Sequence, residues 1–355
     1  MSSALKRDVA AAAATATAST AALPVPYLLF LGDTQIAGYA KTAFGLRDWA
    51  GDKCVGEYGF DGASVSTGLP RMTPRQAKAA GARSMVIGVA NEGGIISRNW
   101  VPALVEALEA GLDLVSGMHA RLTAIPELVD AAARGKRQLI DVRVPPTNIA
   151  VGTGRKRSGK RLLTVGTDCA LGKKYTALAL TRAFAARGLN VDFRATGQTG
   201  IMIAGSGIPM DAVVSDFEAG AAELLSPDAT PDHWDVIEGQ GSLFHPGYAA
   251  VSLGLLHGSQ PDVFVVCHDP QRKHILGLKK MALPSLRSVI DLTMVLGQRT
   301  NLDIRCAGIA LNTGGLDQGV RDAALAAAAD ETGLPAADPM VGGAAFEALV
   351  DRCLA

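Results

Sequence analysis

The residues of this chain best suited to chemistry stand in one short turn, Gly166-Thr167-Asp168-Cys169-Ala170-Leu171-Gly172-Lys173, followed at once by Lys174 and Tyr175. Glycines let backbone N–H groups converge on anionic oxygens, and a lysine where a helix begins adds a full charge to the helix's partial one. The apolar run Leu162-Leu163-Thr164-Val165 predicts a strand before the turn, and the stretch from Lys173 to Arg187 predicts a helix after it. That context makes Gly166, Thr167, Asp168, Cys169, Ala170, Gly172, Lys173, Lys174 and Tyr175 candidates for holding the phosphates of a nucleotide-bearing ligand.

Two departures from the usual nucleotide-hydrolysing turn are informative. Five residues separate Gly166 from Gly172 where the common motif has four, a spacing similar to that of dethiobiotin synthetase and its relatives. More telling, Lys174 stands where that motif needs a serine or threonine to ligate magnesium, and Thr176 lies further round the helix. A fixed cation at the metal position opposes a magnesium-bound triphosphate but suits a metal-free diphosphate. Coenzyme A is such a ligand, so the loop is expected to hold phosphates without hydrolysing them. In the competing reading Lys174 snorkels outward and Asp168 or Glu238 holds a metal. No metal ligand set is otherwise expected, because the six histidines show no metal-helix spacing.

Further candidates fall where short apolar runs end. Thr196-Gly197-Gln198-Thr199-Gly200 and Glu238-Gly239-Gln240-Gly241-Ser242 through His245-Pro246 both follow strands, and Glu238 closes an apolar strand. Glu238 or His245 could act as a base, and Gln198, Thr199 and Gln240 could contact a substrate. Asp216 sits on a carboxylate-rich stretch read as a helix over Asp211–Leu225, either at a site or in solvent. Asn312, after the strand Cys306–Leu311, is placed where related P-loop folds recognise a base. Nearer the N-terminus, Asn91, Gly93, Gly94 and Arg98 follow one apolar run and Arg143 another, while Arg194 ends a third. These arginines are candidate partners for substrate carboxylates.

The elements that must position these residues alternate short strands with amphipathic helices from Tyr27 onward, the signature of parallel sheets with helical crossovers. The fold expected is α/β with two domains: a Rossmann-like parallel sheet over 25–144, then a linker over 145–160 marked by Val144-Pro145-Pro146 and a cation cluster, then a doubly wound, P-loop NTPase-like domain over 161–355. No Gly-x-Gly-x-x-Gly opens a helix after the first strand, so a dinucleotide-binding reading fails. Residues 1–24 read as a low-complexity tail whose apolar character is too weak for an export signal.

Composition narrows the partners. The 34 basic and 34 acidic residues cancel, so no overall field draws the chain to nucleic acid or to a membrane surface. Its 5 cysteines are dispersed, as in reduced cytoplasmic proteins. A small-molecule substrate is expected, and homo-oligomerisation is left open.

These blocks together resemble the DUF1611 family, which pairs a Rossmann-like N-terminal domain with a P-loop domain similar to dethiobiotin synthetase. The resemblance runs from about Leu28 to Ala345 and rests on the turn Gly166–Lys173, on Thr196-Gly-Gln-Thr-Gly-Ile-Met-Ile203, on Asp216-Phe217 and on Glu238 through Pro246, which occur in family order. It implies acetyl transfer from acetyl-CoA to the α-amine of an amino acid, D-glutamate, in D-glutamate breakdown alongside an N-acetyl-D-glutamate racemase. Two other classes compete: an ATP- and magnesium-dependent ligase or kinase, and a nucleotide-sensing regulatory protein without chemistry.

Overall fold

In the first sheet of the computed structural model, strand β1 (Tyr27–Gly32) is buried along its whole length. A strand covered on both faces reads as an unbroken apolar run, which Tyr-Leu-Leu-Phe-Leu supplies. The structure describes residues 23–355, so all but the last two residues of the expected tail lie outside it. Strands β2 (Cys54–Gly59), β3 (Ser84–Ile87), β4 (Asp113–Ser116) and β5 (Leu139–Asp141) complete a parallel sheet of order β2-β1-β3-β4-β5. Phe30, Trp100, Leu104, Leu114 and Leu128 fill its core, with Phe30 and Trp100 meeting edge to face at 5.5 Å. Strand β2 has a weak sequence signal because glycine interrupts it. A Cβ on Gly56 would come within 2.5 Å of Pro70 O, so close backbone approach fixes that residue.

The second sheet holds β6 (Lys160–Gly166), β7 (Val191–Arg194), β8 (Trp234–Ile237), β9 (Val263–His268), β10 (Arg305–Leu311) and the short β11 (Ala336–Ala337) in the order β11-β10-β9-β6-β8-β7, with every pair parallel. The helix Lys173–Ala186 packs on β6, β7 and β8, and Ala249–Ser259 and Leu286–Gly297 pack on β6 and β9. The phosphate turn leaves β6, the strand at which the chain order reverses, and ligands bind beyond the carboxyl ends of such strands.

Two compact units result: 23–145 with Gln198–Ala212, and 146–197 with 213–355. The Gln198–Ala212 segment, which chain order would give to the second domain, packs with the first sheet. Thr199 Oγ1 lies 3.0 Å from Thr42 Oγ1, and Lys53 Nζ donates to Ile203 O at 3.0 Å. Part of that segment is the helix Gln198–Ala204, where the sequence suggests a glycine loop.

One expectation changes. The helix anticipated over Asp211–Leu225 is regular only over Glu218–Leu225; before it come single 3-10 turns at Met210–Ala212 and Ser215–Phe217. The β-branched pair Val213-Val214 explains the break, with Val214 extended at φ −65° and ψ 135°. The cation cluster before β6 is partly built into the fold. Arg157 is buried and donates to Ser226 O and Gly258 O, both at 2.7 Å, and burial pushes its pKa down to about 10.

Candidate functional site

The ladder between β6 and β9 carries the chain into the phosphate turn, where Thr167 N donates to Cys267 O at 3.1 Å and Thr167 Oγ1 lies 3.0 Å from His268 Nδ1. The turn then needs unusual backbone: Ala170 takes φ 52° and Gly172 φ 109°. For Ala170 that conformation is strained and must be held from outside. Arg272 holds it, donating to Cys169 O at 2.6 Å, Ala170 O at 3.2 Å and Asp168 Oδ2 at 3.0 Å. The Asp168 carboxylate also accepts from Leu276 N at 2.6 Å and Cys169 N at 2.7 Å, and is fully buried. Asp168 is thus a brace for the turn.

At the start of the helix Lys173–Ala186 no side chain caps the N-terminus and the first turn holds no acid. The orphan N–H groups and the dipole are left for an external anion. Lys173 is buried, donates to Asp168 O at 2.8 Å, and has its pKa lowered chiefly by desolvation. Thr176 does not offer a metal ligand at the turn; it is buried, its hydroxyl 3.4 Å from Cys267 Sγ. Lys174 is half-buried with its ammonium 5.3 Å from the Tyr175 ring centroid. Asn312 borders the turn, since a Cβ on Gly172 would lie 4.0 Å from Asn312 Cβ.

Glu238 lies beside these lysines. One oxygen accepts from Thr196 N at 3.0 Å and Gly197 N at 3.1 Å; burial raises its pKa, opposed by Lys174, by these two N–H bonds and by Lys173. Gly239 is required by shape, because a Cβ there would stand 1.6 Å from Thr164 O, and its N–H is committed to Thr164 Oγ1 at 2.9 Å. Gln240 Nε2 donates to Thr196 Oγ1 at 3.0 Å. His245 is nearly buried; its Nδ1 accepts from Gly247 N at 3.1 Å, and its Nε2 faces Leu276 O at 3.3 Å, an arrangement that fits a neutral ring with the proton on Nε2.

Asp168, Cys169 and His245 offer atoms within 4.8 Å of one another. They suit hydrogen bonding better than a cation, because Arg272 already lies 3.0 Å from the carboxylate and Gly247 N–H occupies Nδ1.

Other sequence candidates are dispersed or committed. Asp216 is exposed, with no hydrogen-bond or ion-pair partner among the described residues, whereas its neighbour Glu218 is buried. Arg194 turns back along the sheet to Asp235 at 2.6 Å and Asp192 at 3.1 Å. In the first unit, Asn91 closes its own turn through both Ile95 backbone groups at 3.0 Å, and Arg98 pairs with Glu127 at 2.7 Å in solvent. Gly93 and Gly94 take φ 72° and 57°, and a Cβ on Gly94 would meet His119 at 2.6 Å. Arg143 donates to Gly117 O at 2.6 Å and pairs with Asp211, while the Gln198 side chain packs on Gly117. Sequence reasoning passed over Arg272, whose partners lie about a hundred positions away.

With this geometry in hand, comparison with known proteins is direct. A family model described as a domain of unknown function, the DUF1611 P-loop domain, matches residues 148–350, and the corresponding Rossmann-like domain matches 55–145. The chain belongs to the DUF1611 family. A D-glutamate N-acetyltransferase of Tritonibacter scottomollicae is 50% identical over 91% of this chain and 97% of its own length. One from a Pseudoalteromonas species is 47% identical over 90% and 96%. Among solved structures, a DUF1611 protein of Anabaena variabilis superposes with a TM-score of 0.81 at 33% identity, covering 93% of this chain and 99% of that one. Both α/β domains anticipated from the sequence, Rossmann-like and P-loop, are present. No helix among the described residues is long and apolar enough to cross a membrane.

Proposed function

We propose that this chain is an amino-acid N-acetyltransferase that moves the acetyl group of acetyl-CoA to the α-amine of D-glutamate, with the phosphate turn holding the donor's diphosphate. The observation that carries this reading is Lys174 at the position where a magnesium-dependent loop has a hydroxyl, beside an uncapped helix start. Two relatives near half identity that are named for the activity support it.

In the reaction the neutral amine attacks the thioester carbon, the carbon–sulfur bond breaks, and coenzyme A leaves as a thiol carrying the proton that the amine sheds. The pantetheine arm spans roughly 15 Å at ordinary bond lengths. A donor gripped by its diphosphate and extended therefore reacts well away from the phosphates. Glu238, whose charge is felt by Lys174 and which pins the turn at Thr196 and Gly197, is accordingly given a positioning role at the phosphate end. His245, hydrogen-bonded through both ring nitrogens, is given the same kind of role. Glu238→Gln and His245→Asn should then raise KM for acetyl-CoA more than they lower kcat; a selective loss of kcat would return either residue to the role of base.

The reading also places the protein in the cytoplasm, supplying an N-acetylated D-amino acid to a racemase of that substrate class. Calorimetric titration with acetyl-CoA and with ATP plus magnesium, followed by thiol release over a panel of D- and L-amino acids, tests it. Acetyl-CoA should bind without magnesium and release thiol with D-glutamate. Magnesium-dependent ATP hydrolysis without thiol release would instead establish a ligase or kinase, and binding without any product a sensor.

A further inference from the structure

Between β9 and the helix Leu286–Gly297 the chain makes a long connection, residues 269–285, that the function above does not use. It folds back on itself: Ile275 N donates to Met281 O at 2.9 Å, Leu283 N to Lys273 O at 3.1 Å, and His274 and Ala282 form an antiparallel bridge. It is fastened at two places. Arg272 and Leu276 N grip the phosphate turn through Asp168, Cys169 and Ala170, and Gln271 Nε2 donates to Gly314 O at 3.2 Å, two residues beyond Asn312.

The segment is also cationic. It carries Arg272, Lys273, Lys279 and Lys280 against a single acid, Asp269, in a chain whose charges balance as a whole. Asp269 is turned to its own loop, accepting from Gln271 N at 2.9 Å. Lys273, Lys279 and Lys280 are exposed and have no carboxylate partner among the described residues.

We infer that this hairpin recognises a phosphate monoester on the ribose of the donor, the 3′-phosphate that distinguishes coenzyme A from its dephospho form. The inference rests on the proposed donor. With the diphosphate at the start of the helix Lys173–Ala186 and the base at Asn312, the ribose must lie between them, and the hairpin fastened to both borders that space. Charge agrees. Lys173 and Lys174 answer the diphosphate, and a monoester near its second ionisation adds a further charge of about −1.5 to −2 that needs cations of its own. Lysines act there as point charges on flexible stems, able to follow a phosphate without fixed geometry.

The test is a pair of calorimetric titrations, coenzyme A against 3′-dephospho-coenzyme A, on the wild-type chain and on a variant carrying Lys273→Gln, Lys279→Gln and Lys280→Gln. All three positions are exposed, so the variant should melt with the wild type. The wild-type Kd should be at least about tenfold lower for coenzyme A, as expected for charge-assisted bonds, and the variant should bring the ratio close to one. Equal affinities in the wild type, or a ratio that survives the triple substitution, would overturn the assignment. Because Kd is read without turnover, failure of thiol release with discrimination intact would count against acetyl transfer and for the hairpin.

Discussion

Strand β6 has a buried cation at each end, and the two are satisfied in different ways. Arg161, at its start, is fully buried and donates to the carbonyls of Arg157, Ser158 and Pro227 at 3.0, 2.9 and 2.9 Å, with Gly159 O and Ser226 O slightly further off. Lys173, beyond its end, is also buried but has one acceptor among the described residues, Asp168 O. An ammonium has three donors and a guanidinium five, so Arg161 spends most of its capacity on the fold while Lys173 keeps capacity for a ligand. Burial and charge alone therefore do not mark a site. Unspent donors beside an uncapped helix do.

The sharpest way to break this comparison is to remove each charge while keeping the volume. Arg161→Met orphans several buried carbonyls and should destabilise the protein by on the order of 4 kcal/mol, read from the denaturant midpoint. Its folded fraction should still bind the donor normally. Lys173→Met should do the reverse, weakening coenzyme A binding by roughly 10- to 100-fold without lowering Tm at neutral pH. The pH dependence follows from the lowered pKa of Lys173. The folded state holds its proton less tightly than the unfolded chain, whose lysines titrate near about 10.4. Wild-type stability therefore climbs as pH rises from the folded value towards that one, and Met removes the slope. Equal destabilisation by both substitutions would end the distinction.

A finer test exchanges the second ammonium for the hydroxyl of a metal-dependent loop. Lys174→Thr should weaken coenzyme A roughly tenfold, as loss of one charged partner does, and should allow magnesium to strengthen ATP binding measured by calorimetry. If magnesium gains nothing, the loop's conformation excludes the metal and not the charge at that position.

What could be read from the sequence alone divides along the same line. The phosphate turn is legible because strand, turn and helix are contiguous, and each residue's part follows from its place in the motif. The alternation of elements likewise announces both parallel sheets. The fate of individual cations is not legible, because their partners are distant in the chain. Arg157 meets Gly258 and Arg272 meets Cys169, each across about a hundred positions, while Arg194 turns to Asp235 and Arg143 to Asp211. Asp216 and Glu218 show the same limit at short range. Both read as acids on one helix, but Asp216 lies exposed in a 3-10 turn while Glu218 is buried where the regular helix begins.

Glu218 supplies the smallest effect and a test of the same rule for anions. It is buried against the helix Ala249–Ser259, where a Cβ on Gly254 would come within 2.6 Å of its Oε2, and its carboxyl has no hydrogen-bond or ion-pair partner among the described residues. Burial raises its pKa. A raised carboxyl pKa means that the folded state favours the proton. The stability this brings is complete below the unfolded value of about 4.3 and is lost as pH rises through the folded one. Glu218→Gln, which stays neutral, should therefore melt with the wild type near pH 4 and about 2 °C higher at pH 8, a shift of a size that a fraction of a kcal/mol produces in a domain of this length. Acetyl-CoA affinity should not move, because Glu218 touches neither the phosphate turn nor its hairpin. A variant that melts lower at pH 8 would mean that the carboxylate has a cationic partner in solution, and that a desolvated carboxyl is no better a guide on the acidic side than Arg161 is on the basic one.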